Sequence, residues 1–399
     1  MFERKISKSL VTRILEPRKF IQILAGPRQT GKTTAVTQAI EQMALPTHYV
    51  SIDDPRMMSP QRLIQEWETA RQLAQKEQRD GNLNGALLVL DEVQKITQWS
   101  SFVKMLWDED TLKKVNLKVI LTGSSTLLLR KGMKESLMGR FEVLRSTHWN
   151  LAECKEAFGY SLEDFLFFGG YPGAASLRKD PDRWADYVYE SIIEPTISQD
   201  VLQIEEIRNP ALMRALFVLG SGYSAQELSY TKIQGQLQEA GSVPTIAHYL
   251  ELLGNAGMLC GLDKYSPELV RRRKSSPRFM VFDTSLMVFA NEATPEQLSL
   301  NPAWKGHLVE SAVGAYLLAR GKEERFSVHY WKDRSHEVDF VLKKGNAITA
   351  IEVKSGRVKN VGGTLEFIKR NPNVLSYIVG SDSAPLEEFL LGSFPLFKS

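Results

Sequence analysis

The sequence predicts an α/β fold: a parallel sheet with helices on both faces, then a helical segment, then a second, smaller α/β region. The apolar runs at 21–25 and 87–90 are continuous rather than alternating, which is typical of parallel strands covered on both faces. Residues 150–230 are mostly helical by pattern, and strand-like runs return after Trp304. Because 399 residues exceed one ordinary core, we expect two or three domains.

Composition narrows the class of protein. With 43% hydrophobic residues, 24% charged residues and a net charge of +3, the chain resembles a soluble globular protein in composition. Cys154 and Cys260 are its two cysteines and lie far apart, which excludes a disulfide framework and argues against a zinc site. No apolar run approaches the ~18 residues of a membrane helix, and the charged start lacks the apolar core of a signal peptide. We therefore expect a cytoplasmic protein without a membrane partner.

The first predicted strand leads directly into a glycine-rich loop. GPRQTGKTT (26–34) follows the run at 21–25 and precedes a helical pattern, which gives the order strand, G-x-x-x-x-G-K-[ST], helix. In such a loop backbone N–H groups surround phosphates, the lysine reaches the β- and γ-phosphates, and the next hydroxyl binds Mg²⁺. A chance glycine turn is the weaker alternative. The predicted nucleotide-binding residues are Gly26, Pro27, Arg28, Gln29, Thr30, Gly31, Lys32, Thr33 and Thr34, with Lys32 also catalytic and Thr33 a Mg²⁺ ligand.

Two acids follow the second buried run. Beside a phosphate loop, Asp91 is predicted to bind the nucleotide's Mg²⁺ shell, and Glu92 to orient and deprotonate the attacking water. Two exposed acids in a turn are the alternative. The next run, KVILTGSST, ends in the hydroxyls of Thr122 and Ser124. These are candidates to touch the γ-phosphate or the water, although small hydroxyls are equally typical of turns.

Four segments in this order, GPRQTGKTT, VLDEVQK, ILTGSS and SLMGRF, resemble the AAA+-type P-loop ATPases of bacteria and archaea. More narrowly, they are similar to a prokaryotic group in which an AAA module precedes a C-terminal nuclease-like domain. FFGGYP (167–172) and RFMVFDTSL (278–286) match that group too, so the resemblance covers nearly the whole chain. It implies ATP and Mg²⁺ as cofactors. It also implies that Arg140 is an arginine finger for a neighbouring subunit of a homo-oligomer, with a structural arginine as the alternative.

Residues 231–259 have helix-turn-helix spacing, with Ser242 as a cap and Pro244 in the first turn of the second helix. A hairpin at about 258–282 follows as a wing, and the resembled group carries such a winged helix. The outward positions of the second helix lack Arg and Lys, so it is not expected to read bases. A basic cluster in the wing is either a solvated tip or a shape-dependent contact to DNA phosphates. Its members are Arg271, Arg272, Arg273, Lys274 and Arg278.

Four charged residues near the C-terminus fall on predicted regular elements. Glu310 lies on the apolar side of a helix, Asp339 lies on the first strand of a hairpin with a Gly-Asn turn, and Glu352 and Lys354 project from one face of the second strand. This order resembles that of PD-(D/E)xK nucleases. In that chemistry Asp339 and Glu352 hold Mg²⁺ or Mn²⁺, Lys354 activates water, and Glu310 completes the site. A same-face ion pair, and a nuclease-like fold that binds without cutting, are the alternatives.

These segments divide the chain into an AAA+-like ATPase domain (1–150), a helical segment (151–225), a winged helix (226–290) and a PD-(D/E)xK-like domain (291–399). The favoured hypothesis is an ATPase that couples ATP turnover to binding or remodelling DNA, with Mg²⁺-dependent cleavage by the nuclease-like domain left open. The alternative is a nucleotide-switch signalling or scaffold NTPase whose nuclease-like domain binds without cutting. The second helix of 231–259, which lacks arginine, favours that alternative.

Overall fold

The computed structural model describes residues 2–123, 136–202, 207, 209–237, 241–266, 276–355 and 362–398. The chain forms two compact units, Met1–Thr147 and His148–Ser399. No helix in the described ranges is both long and apolar enough to cross a membrane.

The first unit alternates helices and strands, as the sequence predicts. Its elements are α1 (Lys5–Leu15), β1 (Ile21–Ala25), α2 (Lys32–Gln42), β2 (Thr47–Ser51), α3 (Pro60–Arg79), β3 (Ala86–Asp91), α4 (Trp99–Leu112), β4 (Leu117–Gly123) and β5 (Phe141–Arg145). The five strands are parallel and stand in the order β2-β3-β4-β1-β5.

Helices cover both faces of this sheet. On one face Leu10 of α1 and Val36 of α2 pack against the strands, and on the other Trp67 of α3 and Trp107 of α4 do so. Every residue of β1, β3 and β4 is buried, as expected for central parallel strands. The predicted fold class is therefore confirmed. Because the strands are parallel, the carboxyl ends of β1, β3 and β4 meet at one edge, where ligands of such sheets bind.

The second unit combines helices with two antiparallel or mixed sheets. Its helices are α5 (Leu151–Phe158), α6 (Leu162–Phe168), α7 (Pro181–Tyr187), α8 (Pro210–Gly222), α9 (Tyr230–Gln236), α10 (Val243–Ala256), α11 (Thr284–Ala290), α12 (Gln297–Leu300), α13 (Pro302–Glu324), α14 (Gly362–Arg370) and α15 (Leu386–Leu390). Two π-helical segments, Val188–Ile193 and Thr196–Val201, follow α7. The strands are β6 (Leu259–Leu262), β7 (Arg278–Val281), β8 (Ser327–Asp333), β9 (His336–Lys344), β10 (Ala347–Val353) and β11 (Leu375–Val379).

The larger sheet has the order β11-β10-β9-β8. Strands β8, β9 and β10 are antiparallel, and β10 pairs with β11 in parallel. Lys344 pairs with Ala347 across the two-residue turn between β9 and β10, which confirms the predicted hairpin. Tyr265, Trp331 and Phe367 are buried in the core on this sheet.

The region predicted as a winged helix contains α9, α10 and the antiparallel pair β6–β7. The Ser242 side chain caps α10 by accepting from the Thr245 N–H, and a proline stands in the first turn of the helix, as predicted. Residues 267–275, between the two strands, lie outside the described residues. Four of the five predicted DNA-contacting residues fall there: Arg271, Arg272, Arg273 and Lys274.

Candidate functional site

The glycine-rich loop joins β1 to α2 at the carboxyl edge of the first sheet. A side chain on Gly26 would collide with the Ser146 carbonyl beside β5, so this position requires glycine. The buried Lys32 ammonium donates to the carbonyls of Gly26 (3.1 Å) and Pro27 (2.6 Å). Lys32 thus lies over the loop that would surround the phosphates. Of the remaining predicted loop residues, Arg28, Gln29, Thr30 and Gly31 precede α2, and Thr33 and Thr34 lie in its first turn.

The base of this loop is tied to β5 by a residue that the sequence did not single out. Arg4 donates through Nη1 to the Thr30 carbonyl, the Ser146 hydroxyl and the Thr147 carbonyl, each at 3.2 Å. The buried Thr30 hydroxyl also donates to the Pro27 carbonyl at 3.0 Å. These contacts hold the loop backbone in place without using the N–H groups that bind phosphates.

Three hydroxyls converge on Asp91 at the end of β3. Thr33 Oγ1 donates to Asp91 Oδ2 at 3.0 Å and Tyr49 Oη donates to the same oxygen at 2.6 Å, while Thr122 donates to Oδ1. Asp91 is only 5% exposed. Burial, then the hydrogen bond to Asp91, raises the pKa of Tyr49 well above its ordinary value. Tyr49 was not among the predicted site residues, whereas Thr122 was a candidate.

Glu92 follows Asp91 with a left-handed backbone (φ 59°). Its N–H donates to Thr122 Oγ1 at 3.4 Å, and its Oε2 accepts from the Gln94 side-chain amide at 2.5 Å. A non-glycine residue in this conformation is strained, and such strain occurs often at active sites. The carboxylate is therefore held beside the Asp91 cluster. Ser124, the other hydroxyl predicted here, lies outside the described residues.

The Asp91 cluster fits Mg²⁺ as a nucleotide cofactor. Thr33 Oγ1 and Asp91 Oδ2 are hard oxygen ligands that lie 3.0 Å apart. Mg²⁺ at phosphate-transfer sites is held by one or two carboxylates together with substrate phosphates and waters. In the described parts of the chain, no group of three or more His, Cys, Asp or Glu side chains is arranged to hold a metal ion. The protein ligands of Mg²⁺ at this site would therefore be the Thr33 hydroxyl and the Asp91 carboxylate.

Arg140 makes a two-pronged ion pair within its own chain. Its Nε donates to Asp108 Oδ1 at 2.6 Å and its Nη2 to Asp108 Oδ2 at 2.9 Å. The Arg140 side chain is 32% exposed, and the hydrogen bond to Asp108 raises its pKa. In this arrangement Arg140 is held by α4 at the start of β5, at the surface of the first unit.

The four charged residues predicted in the second unit interact electrostatically. Lys354 Nζ donates to Glu352 Oε1 at 2.6 Å, and Asp339 Oδ2 accepts the Val353 N–H at 2.8 Å. Glu310 approaches from α13, with its Oε2 at 3.8 Å from His307 Nδ1. The four residues are called the acidic centre below.

Burial and mutual repulsion raise the proton affinity of this centre. Burial, followed by the Asp339 carboxylate, raises the pKa of Glu352 to about 7 against the lowering effect of Lys354. Burial also raises the pKa of Glu310. Burial lowers the pKa of Lys354, but the hydrogen bond to Glu352 and the nearby carboxylates outweigh it and raise that pKa.

Arg278 faces this centre from β7. Its Nη1 is 3.2 Å from Asp339 Oδ1, its Nη2 pairs with Glu337, and its side chain is 4% exposed. This placement corrects the expectation that Arg278 contacts DNA phosphates, because a buried guanidinium that faces carboxylates is not available to DNA. The acidic centre in this arrangement does not fit a divalent metal, because the positive charges of Arg278 and Lys354 already lie against Asp339 and Glu352, whereas the hydroxyls that donate to Asp91 are neutral.

The two further segments that match the resembled group contact each other. Asp283 Oδ2 accepts the Gly170 N–H at 2.7 Å, and its Oδ1 accepts the Ser285 N–H (3.0 Å) and hydroxyl (2.5 Å) at the start of α11. A side chain on Gly170 would collide with the Trp149 carbonyl. FFGGYP and RFMVFDTSL thus form a clasp in which one buried carboxylate satisfies two backbone N–H groups.

Known proteins match the chain in three consecutive parts. Residues 18–155 match a family model described as an AAA domain, and residues 159–297 and 305–381 match two models described as domains of unknown function, DUF8612 and DUF4143. An uncharacterized protein of Methanocaldococcus jannaschii is 26% identical over 349 residues, which cover 82% of this chain and 73% of the relative. An uncharacterized protein of Mycobacterium tuberculosis is 24% identical over 366 residues, 89% of this chain and 74% of the relative.

A solved structure supports the fold. The Walker-type ATPase of Pyrococcus abyssi superposes with a TM-score of 0.51 at 16% identity, covering 73% of this chain and 96% of that one. The AAA-domain match, the parallel sheet with its glycine-rich loop and the Thr33–Asp91 contact agree with this likeness. Together they show that the first unit has the fold of an AAA-type P-loop ATPase domain.

Proposed function

We propose that this chain couples ATP hydrolysis in its first unit to the binding or remodelling of DNA by its second unit. The observation that carries the ATPase part is the convergence of Thr33, Tyr49 and Thr122 on the buried Asp91 carboxylate, beside the glycine-rich loop. Lys32 binds the β- and γ-phosphates, and loop N–H groups bind the rest of the phosphate chain. Thr33 and Asp91 would hold Mg²⁺, which when bound would supply positive charge to offset that of the transferred phosphoryl group.

Glu92 is the proposed general base. It directly follows Asp91, and its backbone is fixed by the contact to Thr122, so its carboxylate is positioned to orient the attacking water. Replacement Glu92→Gln keeps the size and the hydrogen bond of the side chain but removes the base. We expect ATP binding to persist while turnover falls by about 10²- to 10⁴-fold. Equal turnover in Glu92→Gln and the wild type removes Glu92 from this role.

The DNA part of the proposal is supported by the sequence of the second unit. Arg271, Arg272, Arg273 and Lys274 are consecutive and follow a helix-turn-helix pattern, so they are suited to phosphates. We expect duplex, single-stranded or four-way-junction DNA to raise the ATPase rate at low salt and to lose this effect at high salt. Neutralising residues 271–274 should abolish the stimulation, whereas neutralising the exposed pair Lys343 and Lys344 should leave it unchanged. An ATPase rate that ignores all three DNAs contradicts the DNA role.

The second candidate function is a nucleotide-switch or scaffold NTPase whose nuclease-like domain binds without cutting. The buried ion pair of Arg278 with Asp339 favours it, because a carboxylate that is already neutralised by a buried arginine attracts a metal cation less strongly. In that case the wild type cuts none of the three DNAs in Mg²⁺ or Mn²⁺, and ATP changes its affinity for a protein partner. Cleavage that is lost in Asp339→Ala excludes this candidate.

A further inference from the structure

Arg278 places a buried positive charge against the carboxylates of the acidic centre. Its guanidinium lies between the Asp339 carboxylate and Glu337, with its carbon 5.3 Å from the centre of the Tyr330 ring. Its positive charge also lowers the proton affinity of Glu310. One arginine thus interacts with acids from α13 and β9, and the sequence places it 61 positions before Asp339.

The contacts of Arg278 and Lys354 leave little room for a further cation in the centre. Asp339 uses Oδ1 for Arg278 and Oδ2 for the Val353 N–H, and Glu352 uses Oε1 for Lys354. Glu352 Oε2 is buried and has no hydrogen-bond partner among the described residues, and Glu352 is only 9% exposed. A buried carboxylate oxygen without a hydrogen-bond donor lowers the stability of the folded chain. Glu352 Oε2 could therefore serve as a metal ligand, but a metal site also needs the Asp339 carboxylate, which pairs with Arg278.

The backbone around Arg278 is fixed to the sheet that carries the centre. Tyr330 Oη on β8 donates to the Ser276 carbonyl at 2.6 Å, and the Tyr265 N–H donates to the Tyr330 carbonyl at 2.6 Å. Lys332 on β8 pairs with Glu227 at 2.6 Å, and Glu227 itself bridges to Arg278 through the backbone. The guanidinium is therefore a built part of the centre and not a surface side chain that has folded inward.

We propose that Arg278 is the resident counter-charge of Asp339 in the acidic centre, as Lys354 is of Glu352, and that Arg278 excludes Mg²⁺ and Mn²⁺ until it is displaced. Mg²⁺ needs its oxygen ligands at about 2.0–2.1 Å, and the guanidinium lies against the Asp339 oxygen that would supply one of them. The inference concerns the regulation of the nuclease-like centre in the proposed function. The test of this inference measures metal binding in the absence of DNA. Its outcome is therefore independent of whether the chain binds DNA, and each of the two proposals can fail without the other.

The experiment is a calorimetric Mn²⁺ titration of the full chain without nucleotide. All chains carry Thr33→Ala and Asp91→Asn, which remove the Mg²⁺ site of the first unit and give the parent protein. We expect the parent to bind no Mn²⁺ at the acidic centre, and the additional change Arg278→Gln to create one Mn²⁺ site per chain, at least about tenfold tighter than any binding to the parent. Adding Glu352→Gln to Arg278→Gln should remove this site again.

Two further variants separate the charge from the ion pair. Arg278→Lys keeps a cation in the centre, so it should bind Mn²⁺ as weakly as the parent. Arg214→Gln breaks another ion pair of the second unit, between Arg214 and Glu194 (2.5 Å), and should not create a site. Equal Mn²⁺ binding by the parent and Arg278→Gln overturns the proposal, as does a folded Arg278→Gln that binds no Mn²⁺.

A measurement on the parent keeps the test decisive where Arg278→Gln fails to fold, because breaking a buried ion pair is strongly destabilising. The parent and its Glu352→Gln variant are compared in the same titration. Parent binding of one Mn²⁺ that is lost in Glu352→Gln overturns the exclusion by Arg278. The absence of such a difference is the result that the proposal expects.

Discussion

The clasp between FFGGYP and RFMVFDTSL predicts a pH dependence of stability that can be assigned to one residue. Asp283 is buried, and burial raises its pKa from an ordinary 3.8 to about 6, although the Ser285 hydroxyl and the N–H groups of Gly170 and Ser285 lower it. The folded chain therefore holds the Asp283 proton at pH values where the unfolded chain has released it. The test is the replacement Asp283→Asn, which keeps the shape and removes the titrating group.

The direction and the size of the pH dependence of stability follow from this shift in the pKa of Asp283. A carboxyl whose folded pKa lies above its unfolded pKa contributes stability that is fully present below pH ~4 and is lost as the pH rises through about 6. A shift of about 2 pH units corresponds to about 3 kcal/mol, at ~1.4 kcal/mol per unit. Because pH 4 lies just above the ordinary pKa of 3.8, the unfolding free energy of the wild type minus that of Asp283→Asn should fall by only about 2 kcal/mol between pH 4 and pH 7.

The assay is urea unfolding of the full chain, followed by tryptophan fluorescence, at several pH values from 4 to 7. The exposed acid Glu163 on α6 provides the control, because Glu163→Gln removes one carboxylate from the same unit without touching the clasp. A difference between wild type and Asp283→Asn that is constant with pH, or that grows as the pH rises, refutes the argument from burial.

Three predictions concern the ATPase site. Tyr49→Phe removes the 2.6 Å hydrogen bond to Asp91, so it should raise the Mg²⁺ concentration needed for half-maximal ATP turnover by about tenfold; an unchanged Mg²⁺ dependence contradicts this. Gly26→Ala should abolish binding of a fluorescent ATP analogue in a chain that still folds, because the new methyl collides with the Ser146 carbonyl; wild-type affinity speaks against the close approach. Arg140→Ala should bind ATP without hydrolysing it and should regain turnover when mixed with chains that have an intact Arg140 and a disabled phosphate loop. No recovery on mixing excludes action between subunits.

The features that the sequence predicted depend on local patterns. The loop between β1 and α2 needs its glycine and lysine spacing whatever the rest of the chain does. The hairpin turn before Ala347 is likewise set by two adjacent residues. A glycine is a weaker local signal: Gly321 lies inside α13, which continues to Glu324 and ends at Arg325 in a left-handed conformation. Glycine lowers the helix propensity without ending the helix when the surrounding turns are packed.

The features that the sequence did not predict depend on contacts between distant residues. Tyr49 lies 42 positions before Asp91, and Arg4 lies 142 before Ser146. A lone tyrosine in a strand and a lone arginine near the N-terminus carry no pattern that names such partners. Arg278 was read with its basic neighbours as part of a wing, and only the packing of β7 near β9 gives it carboxylate partners instead.

Steady-state ATP hydrolysis by the intact chain, with Lys32→Ala measured in parallel, tests the central claim most directly. The buried ammonium of Lys32 lies over the loop carbonyls and is the one side chain proposed to bind the β- and γ-phosphates. We expect Mg²⁺-dependent turnover by the wild type and a loss of at least about 100-fold in Lys32→Ala, with an unchanged circular dichroism spectrum. Equal turnover by the two proteins would show that ATP is not hydrolysed at this loop.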